Sequence, residues 1–277
     1  MAPLNYQGGL PLVGPFSVSA PQGSDRVMVL VNGADGTVAA ARDFKGQTIP
    51  GALNGGTTVA LNTADKAASQ PITYNAVPAG YSQPTTHVAL ELGGAGALTL
   101  ATSANGSYPA LPASAVESGD TYFLLSISPN SAKIGEAVVG SATLSAAAPV
   151  SFNFPPPWTY AGPAPASLPS FTFQYAGFSG KTGVADEVAI SWLNNTSANS
   201  YTYNYIQVIA TANFQGSATT LAVPDLSAVA GFLAPPASGK TVTWSATITQ
   251  ASSAPLQPTP PDYSWTGVSN TGTYTAP

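Results

Sequence analysis

The sequence predicts an all-β chain, organised as two tandem antiparallel β-sandwich domains with very little helix. Three observations predict it. Val188, Ile190 and Trp192 alternate with Glu187, Ala189 and Ser191, and Val242, Trp244, Ala246 and Ile248 alternate with threonine and serine, the period-two pattern of half-buried strands. Strand-like runs recur about every 8–12 residues with a turn signal between them, the spacing of sandwiches and barrels. Helical periodicity is nearly absent: Ala64–Ser69 offers one turn, and residues 224–232 (PDLSAVAGF) a short helix with proline in its first turn.

In chain order, residues 1–23 form a Pro/Gly-rich segment with one short strand candidate at Phe16–Ser19. The first sandwich is expected over residues 24–154. It opens with two runs flanking Asn32–Gly36, where Asn-Gly and Asp-Gly suit the positive φ of a hairpin turn. Strands are expected at Val59–Asn62, Ile72–Val77, His87–Leu92 and Ala97–Ala101, the last two joined across residues 93–96 (GGAG). Thr121–Ser128, apolar on both faces, reads as a strand buried between layers, and Val138–Leu144 and Val150–Phe154 follow. Pro155–Pro169 is proline-punctuated and is expected to be an extended linker. The second sandwich, residues 170–277, should hold FTFQY, EVAISW, YTYNYIQVIA, ATTLAV and KTVTWSATIT, with Asn194–Ser200 as a polar loop. In its Pro-rich tail, Tyr263–Val268 and Thr271–Thr275 are last strands expected to pack, because Tyr263 and Trp265 are unfavourable in water by roughly 1.5–3 kcal/mol each.

Residues 171–250 carry a resemblance. An early strand ends in Ala189-Ile190-Ser191-Trp192, a tyrosine-bearing strand (Tyr203, Tyr205) follows a polar segment, and Leu233, Pro235, Pro236 and Gly239 lead into the alternating strand Val242–Ile248. This resembles fibronectin type III and related immunoglobulin-like domains of bacterial secreted or cell-envelope (lipo)proteins. Trp244 is the only aromatic of that last strand, whereas the family carries a tyrosine corner there. Residues 111–128 (LPASAVESGDTYFLLSIS) repeat the same approach to a strand, in keeping with a tandem pair. The resemblance implies a fold and no activity, since such domains serve as spacers, adhesins and enzyme appendages alike.

Composition narrows the chemistry. Only 7% of residues are charged and the net charge is −5 with seven basic residues, so the clustered cations that bind nucleic acid or an anionic membrane surface are missing. There is no cysteine, hence no disulfide, thiolate metal site or cysteine nucleophile. No run approaches the ~20 apolar residues of a membrane-spanning helix. The N-terminal MAPLNYQGGLPLVGPF lacks a basic start and is broken by proline and glycine, unlike an intact export leader.

Candidate chemistry is thin. Ser179–Thr182 and Ser238–Thr241 both read SGKT, but Tyr175 and Ala234 stand where a phosphate loop needs its first glycine, and strand-like residues follow where a helix must. His87, the one histidine, sits on an alternating run beside Glu91 and reads as strand surface. Asp186 and Glu187 are adjacent, so a strand points them to opposite faces and they make no acid/base pair. Asn32–Gly36 lacks the alternating acidic ligands of a calcium loop. Asn105, Asn194 and Asn195 begin glycan-acceptor triplets of a kind that Ser/Thr-rich stretches produce by chance.

Tyr201, Tyr203 and Tyr205 are the remaining candidates, as an interaction surface. They share one face of a strand whose other face carries Ile206 and Val208, so they line either the core or an outward stripe that stacks on sugars or on a protein. The expected role is therefore a non-catalytic structural or adhesive component outside the cell or in a bacterial envelope, with no cofactor, binding protein or itself through strand edges or the aromatic face. A pair of carbohydrate-binding modules or a phage or virion decoration protein is the alternative.

Overall fold

The computed structural model describes residues 23–24, 27–44, 48–49, 61–93, 96–104, 106–158, 160–175, 178, 183–197, 200–216, 218–232, 234–251 and 262–277. The strand candidate Phe16–Ser19 and the first SGKT lie outside them. The strands are β1 (Gly23–Ser24), β2 (Val27–Asn32), β3 (Val38–Phe44), β4 (Thr48–Ile49), β5 (Ala68–Asn75), β6 (Thr85–Leu92), β7 (Ala97–Ala104), β8 (Ser107–Ala110) and β9 (Asp120–Pro129). Then come β10 (Glu136–Leu144), β11 (Val150–Asn153), β12 (Ser170–Thr172), β13 (Val184–Ser197), β14 (Ser200–Thr211), β15 (Thr220–Ala222), β16 (Thr241–Ala251) and β17 (Tyr263–Thr275). Among the described residues the structure is all-β apart from single turns: 3-10 at Thr63–Asp65 and Ala113–Ala115, and α1 (Ala212–Gln215). One eight-stranded sheet runs in the order β14-β13-β16-β17-β10-β9-β6-β7, beside a three-stranded sheet β11-β5-β8 and the ribbons β12-β15, β2-β3 and β1-β4.

The described residues fall into two compact units, each drawn from separate stretches of chain. Unit 1 takes Met1–Thr73, Thr85–Leu125 and Ala142–Ser151, and unit 2 takes Tyr74–Pro84, Ser126–Ser141 and Phe152–Pro277. In unit 1 the β2–β3 turn closes as its Asn-Gly and Asp-Gly predict: Gly36 adopts φ 77°, and the Gly33 N–H reaches the Thr37 carbonyl at 2.8 Å. Residues 93–96 likewise join β6 to β7, with Leu92 N–H donating to the Gly96 carbonyl. Tyr108 of β8 meets Tyr122 of β9 edge-on at 6.1 Å, so these two strands pack ring against ring. The Tyr122 hydroxyl accepts from Leu111 N–H, and Tyr108 both accepts from and donates to the Ala148 backbone, so neither buried phenol lacks a partner. Of the strand expected at Val59–Asn62 only Leu61 and Asn62 are described, and Asn62 caps the 3-10 turn.

Unit 2 is built on the antiparallel strands β14, β13, β16 and β17. Trp192, Ile190 and Val188 pair with Val242, Trp244 and Ala246 of β16, which pair in turn with Tyr274, Gly272 and Asn270 of β17. Cross-strand partners share a face, and all of these side chains are buried apart from the half-covered glycine. The two last strands expected at Tyr263–Val268 and Thr271–Thr275 are one continuous strand, with Tyr263 buried. Opposite this face, Phe171 of β12 packs on Trp244 at 6.0 Å. Residues 155–169 feed the same layer: Trp158 is buried and stacks on Phe173 at 5.1 Å, and Tyr160 meets Trp244 edge-on at 5.6 Å. Asn270, buried on β17, donates to the Trp158 carbonyl at 2.7 Å.

Two local expectations are corrected. Asn194–Ser200 is not a loop: β13 runs to Ser197 and β14 starts at Ser200, with one register shift between Asn195 and Ser197. Ladder bonds join backbone groups, so polar side chains do not stop a hairpin whose register is already set by Val188–Trp192. Residues 224–232 form successive turns and no helix, with Val229 N–H bonded to the Leu226 carbonyl and Phe232 N–H to that of Val229. Asp225 accepts from Ser227 N–H and holds the first turn, the local bond that competes with helix formation.

Candidate surface on the terminal strand

The register of β14 settles where its tyrosines point. Ile206 and Val208 stand opposite Ile190 and Val188, so the even-numbered residues share the inner face, while Tyr203, Tyr205, Gln207 and Ile209 share the outer one. Tyr203 is 72% exposed and Tyr205 54%. Tyr201 pairs with Asn195 in the ladder, and its side chain is outside the described residues. Gln207 donates to Glu187 Oε1 at 2.6 Å across the two strands. Partial burial, and secondarily the Glu187 charge, push the Tyr205 phenol above its ordinary pKa, so it is neutral and able to donate at physiological pH.

β14 ends the eight-stranded sheet, and no described strand pairs with its far edge. The hairpin also outruns its neighbour. β16 pairs with β13 only as far as Trp192–Val242, whereas β13 and β14 continue through Leu193–Tyr203 to Ser197–Ser200. That tip is a two-stranded ribbon, which is marginal in water by itself. A cleft of about 230 Å³ runs beside the strand, walled by Leu168, Tyr205–Val208, Pro224, Leu226, Phe232 and Pro235. Asp225 is its one charged residue, held below the usual carboxylate range by its bonds to Ser227.

A second depression of about 390 Å³ in unit 1 is lined by small residues with Asp35, Tyr108 and Pro109, and Asp35 is already committed to Thr37 N–H. His87 is exposed on β6, as read, and the second SGKT is a turn that opens β16, with Gly239 at φ 80°. Asp186 is buried and accepts from the Tyr175 hydroxyl and from Gln215 Nε2, while Glu187 is half-exposed on the opposite face. Glu136, also buried, accepts from the Tyr81 hydroxyl and from Asn130 Nδ2, bracing the β9–β10 turn. Among the described residues no three His, Asp or Glu side chains gather as metal ligands would, and no helix is long and apolar enough to cross a membrane.

Sequence reasoning missed the cleft. Residues 224–232 read as a short helix, and only the turn at Asp225-Leu226-Ser227 signals otherwise. No protein-family model matches the chain, and no curated protein matches it.

Proposed function

We propose that this chain is a non-catalytic structural and interaction component of an extracellular or cell-envelope assembly. In this reading its fibronectin III- or immunoglobulin-like layers act as stiff spacers, and contact is made through the terminal strand of the large sheet. The observation that carries the reading is the outward row Tyr203, Tyr205 and Ile209 on β14. Large exposed apolar side chains grouped on one element mark a contact surface. The low charge fits a surface wetted by Ser, Thr, Asn and Gly. The test is labelling of intact source cells with a membrane-impermeant amine reagent, followed by fractionation. The chain is expected among labelled envelope or released proteins, or in purified particles if it decorates a virion; recovery only from unlabelled cytosol overturns the proposal.

One observation favours glycan as the contacted partner. Tyr203 and Tyr205 are spaced about 7 Å apart along the strand, a platform on which sugar rings stack, and Gln207 and Asp225 beside them offer polar contacts. Binding on a glycan array that is abolished by Tyr203→Ala with Tyr205→Ala supports this second reading, and an array without signal rejects it.

A further inference from the structure

The far edge of β14, which no described strand pairs with, carries a more specific conclusion, which rests on the reading of this strand as a contact surface. We infer that β14 pairs with β14 of a second copy of this chain, antiparallel and about a two-fold axis, joining two eight-stranded sheets edge to edge.

The strand lacks the devices that keep edges apart. Ser200–Thr211 contains no charged residue and no proline, and over twelve residues it presents an edge of about 40 Å. At the opposite end of the sheet, β7 is shorter, and its pairing with β6 is broken by register shifts around Val88, which turn an edge away. On β13–β14 the only shift is at the hairpin tip, so the length of β14 stays regular.

Charge and area indicate the occupant. The chain carries a net −5, yet a copy placed against β14 brings no like charges together on the strand, and an acidic or basic partner finds no complement there. An isologous contact needs a self-complementary surface, and an uncharged strand run antiparallel to itself supplies one. Tyr203, Tyr205, Ile209, Phe214 and Phe232 lie on the strand, in the turn that follows it or in the cleft beside it, and are 45–86% exposed. At roughly 150–200 Å² per side chain they expose on the order of 500–600 Å², of which edge-to-edge pairing covers the flanks of Tyr203, Tyr205 and Ile209, and the twelve-residue backbone edge adds to this; a stable pair needs about 800 Å² per partner. Pairing would also convert the two-stranded tip into part of a four-stranded ribbon.

Sedimentation velocity on the full chain, up to about 100 μM, is the direct test. A concentration-dependent dimer is expected, and a monomer throughout the range overturns the inference. Tyr203→Lys with Tyr205→Lys sets like charges across the axis and should weaken dimerisation about tenfold or more. Because the chain has no cysteine, single thiols report the geometry. Of Tyr203→Cys, Tyr205→Cys, Gln207→Cys and Ile209→Cys, those nearest the axis should oxidise to a covalent dimer about tenfold faster than Ile134→Cys, which is fully exposed and off this strand. A dimer that resists the lysines and whose β14 thiols cross-link no faster than Ile134→Cys uses another surface and also overturns it. The outcomes separate from those of the labelling experiment: a surface-exposed monomer sinks the pairing alone, and a cytosolic dimer sinks the functional reading alone.

Discussion

Gly272 stands directly opposite Trp244 in the β16–β17 ladder, and the indole lies across the space its missing side chain leaves. A Cβ built on Gly272 would sit 2.7 Å from Trp244 Cζ2 and 2.8 Å from Cε2, closer than real Cβ contacts come, and 3.0 Å from Nε1. The ring cannot retreat, because Phe171 and Tyr160 pack on it at 6.0 and 5.6 Å. Gly272→Ala should therefore cost about 1–3 kcal/mol as overpacking. Against this, Gly272 is not in the left-handed region, so alanine also narrows the unfolded ensemble and returns about 0.4–1 kcal/mol. Trp244→Leu, whose side chain ends at the δ carbons, removes all three clashing atoms. In that background Gly272→Ala should be neutral or slightly stabilising, a coupling of about 1–3 kcal/mol in the double-mutant cycle. Urea titrations followed by far-ultraviolet circular dichroism read the midpoints, with unchanged m-values showing that stability alone has moved. Equal midpoint losses from Gly272→Ala in both backgrounds would refute the steric account.

Four further outcomes follow from the same contacts. Asn270→Leu removes the donor to the Trp158 carbonyl, and the unpaired buried acceptor should lower stability by about 1–3 kcal/mol, read by the same titrations. Tyr203→Ser and Tyr205→Ser should each shift monomer stability by less than about 0.5 kcal/mol, since both side chains face water; a loss above 2 kcal/mol at dilution would mean they pack inward. Burial, then the hydrogen bond to a carboxylate, raise the Tyr81 and Tyr175 phenols well above their ordinary value, to Glu136 and Asp186 respectively. The folded state thus holds these protons where the unfolded chain has released them, so their contribution is complete below about pH 10 and is lost as pH climbs beyond it; Tyr81→Phe and Tyr175→Phe should flatten the urea midpoint measured from pH 9 to 12. Asp65 runs the other way: hydrogen bonds from Arg42, at 2.5 Å to Oδ2, and from Asn62 N–H hold its carboxyl below the ordinary range. The stability it lends is present above the usual carboxylate pKa and lost as pH falls through the depressed one, so Asp65→Asn should lower the midpoint at pH 7 more than at pH 2.

What the residues disclosed and what they withheld divide along a physical line. Alternation and glycine-rich turns are local, and they placed β2–β3, β6, the start of β7 and β16 within a residue or two. The buried face of β9 was less legible: Tyr122 and Leu124 share it with Ser126 and Ser128, while Phe123, Leu125 and Ile127 are half-covered. Hydrophobicity favours the opposite assignment, but Ser128 donates to the Ser82 carbonyl, which offsets the burial of its hydroxyl. Residues 155–169 read as a spacer because proline disfavours ladders, yet disfavouring a ladder does not prevent Trp158 from filling a core. The Gly272–Trp244 match was out of reach because it requires the register of β16 against β17.

Sheet order is the deepest of these hidden variables, and it governs the functional candidate. The tyrosine alternation is visible in the sequence, but whether it faces a core or solvent depends on which strands flank β14. Its single partner, β13, lies three residues upstream across the hairpin, whereas β13's other neighbour, β16, arrives only at Thr241. Had β16 docked on β14 instead, the same alternating pattern would describe an interior strand, and β13 would carry the open edge. The row faces outward on an edge because β14, a long strand with neither charge nor proline, is also the last of its sheet. A lysine on its outer face would cost little stability at positions this exposed, so charge can be placed there to test the pairing without unfolding the strand.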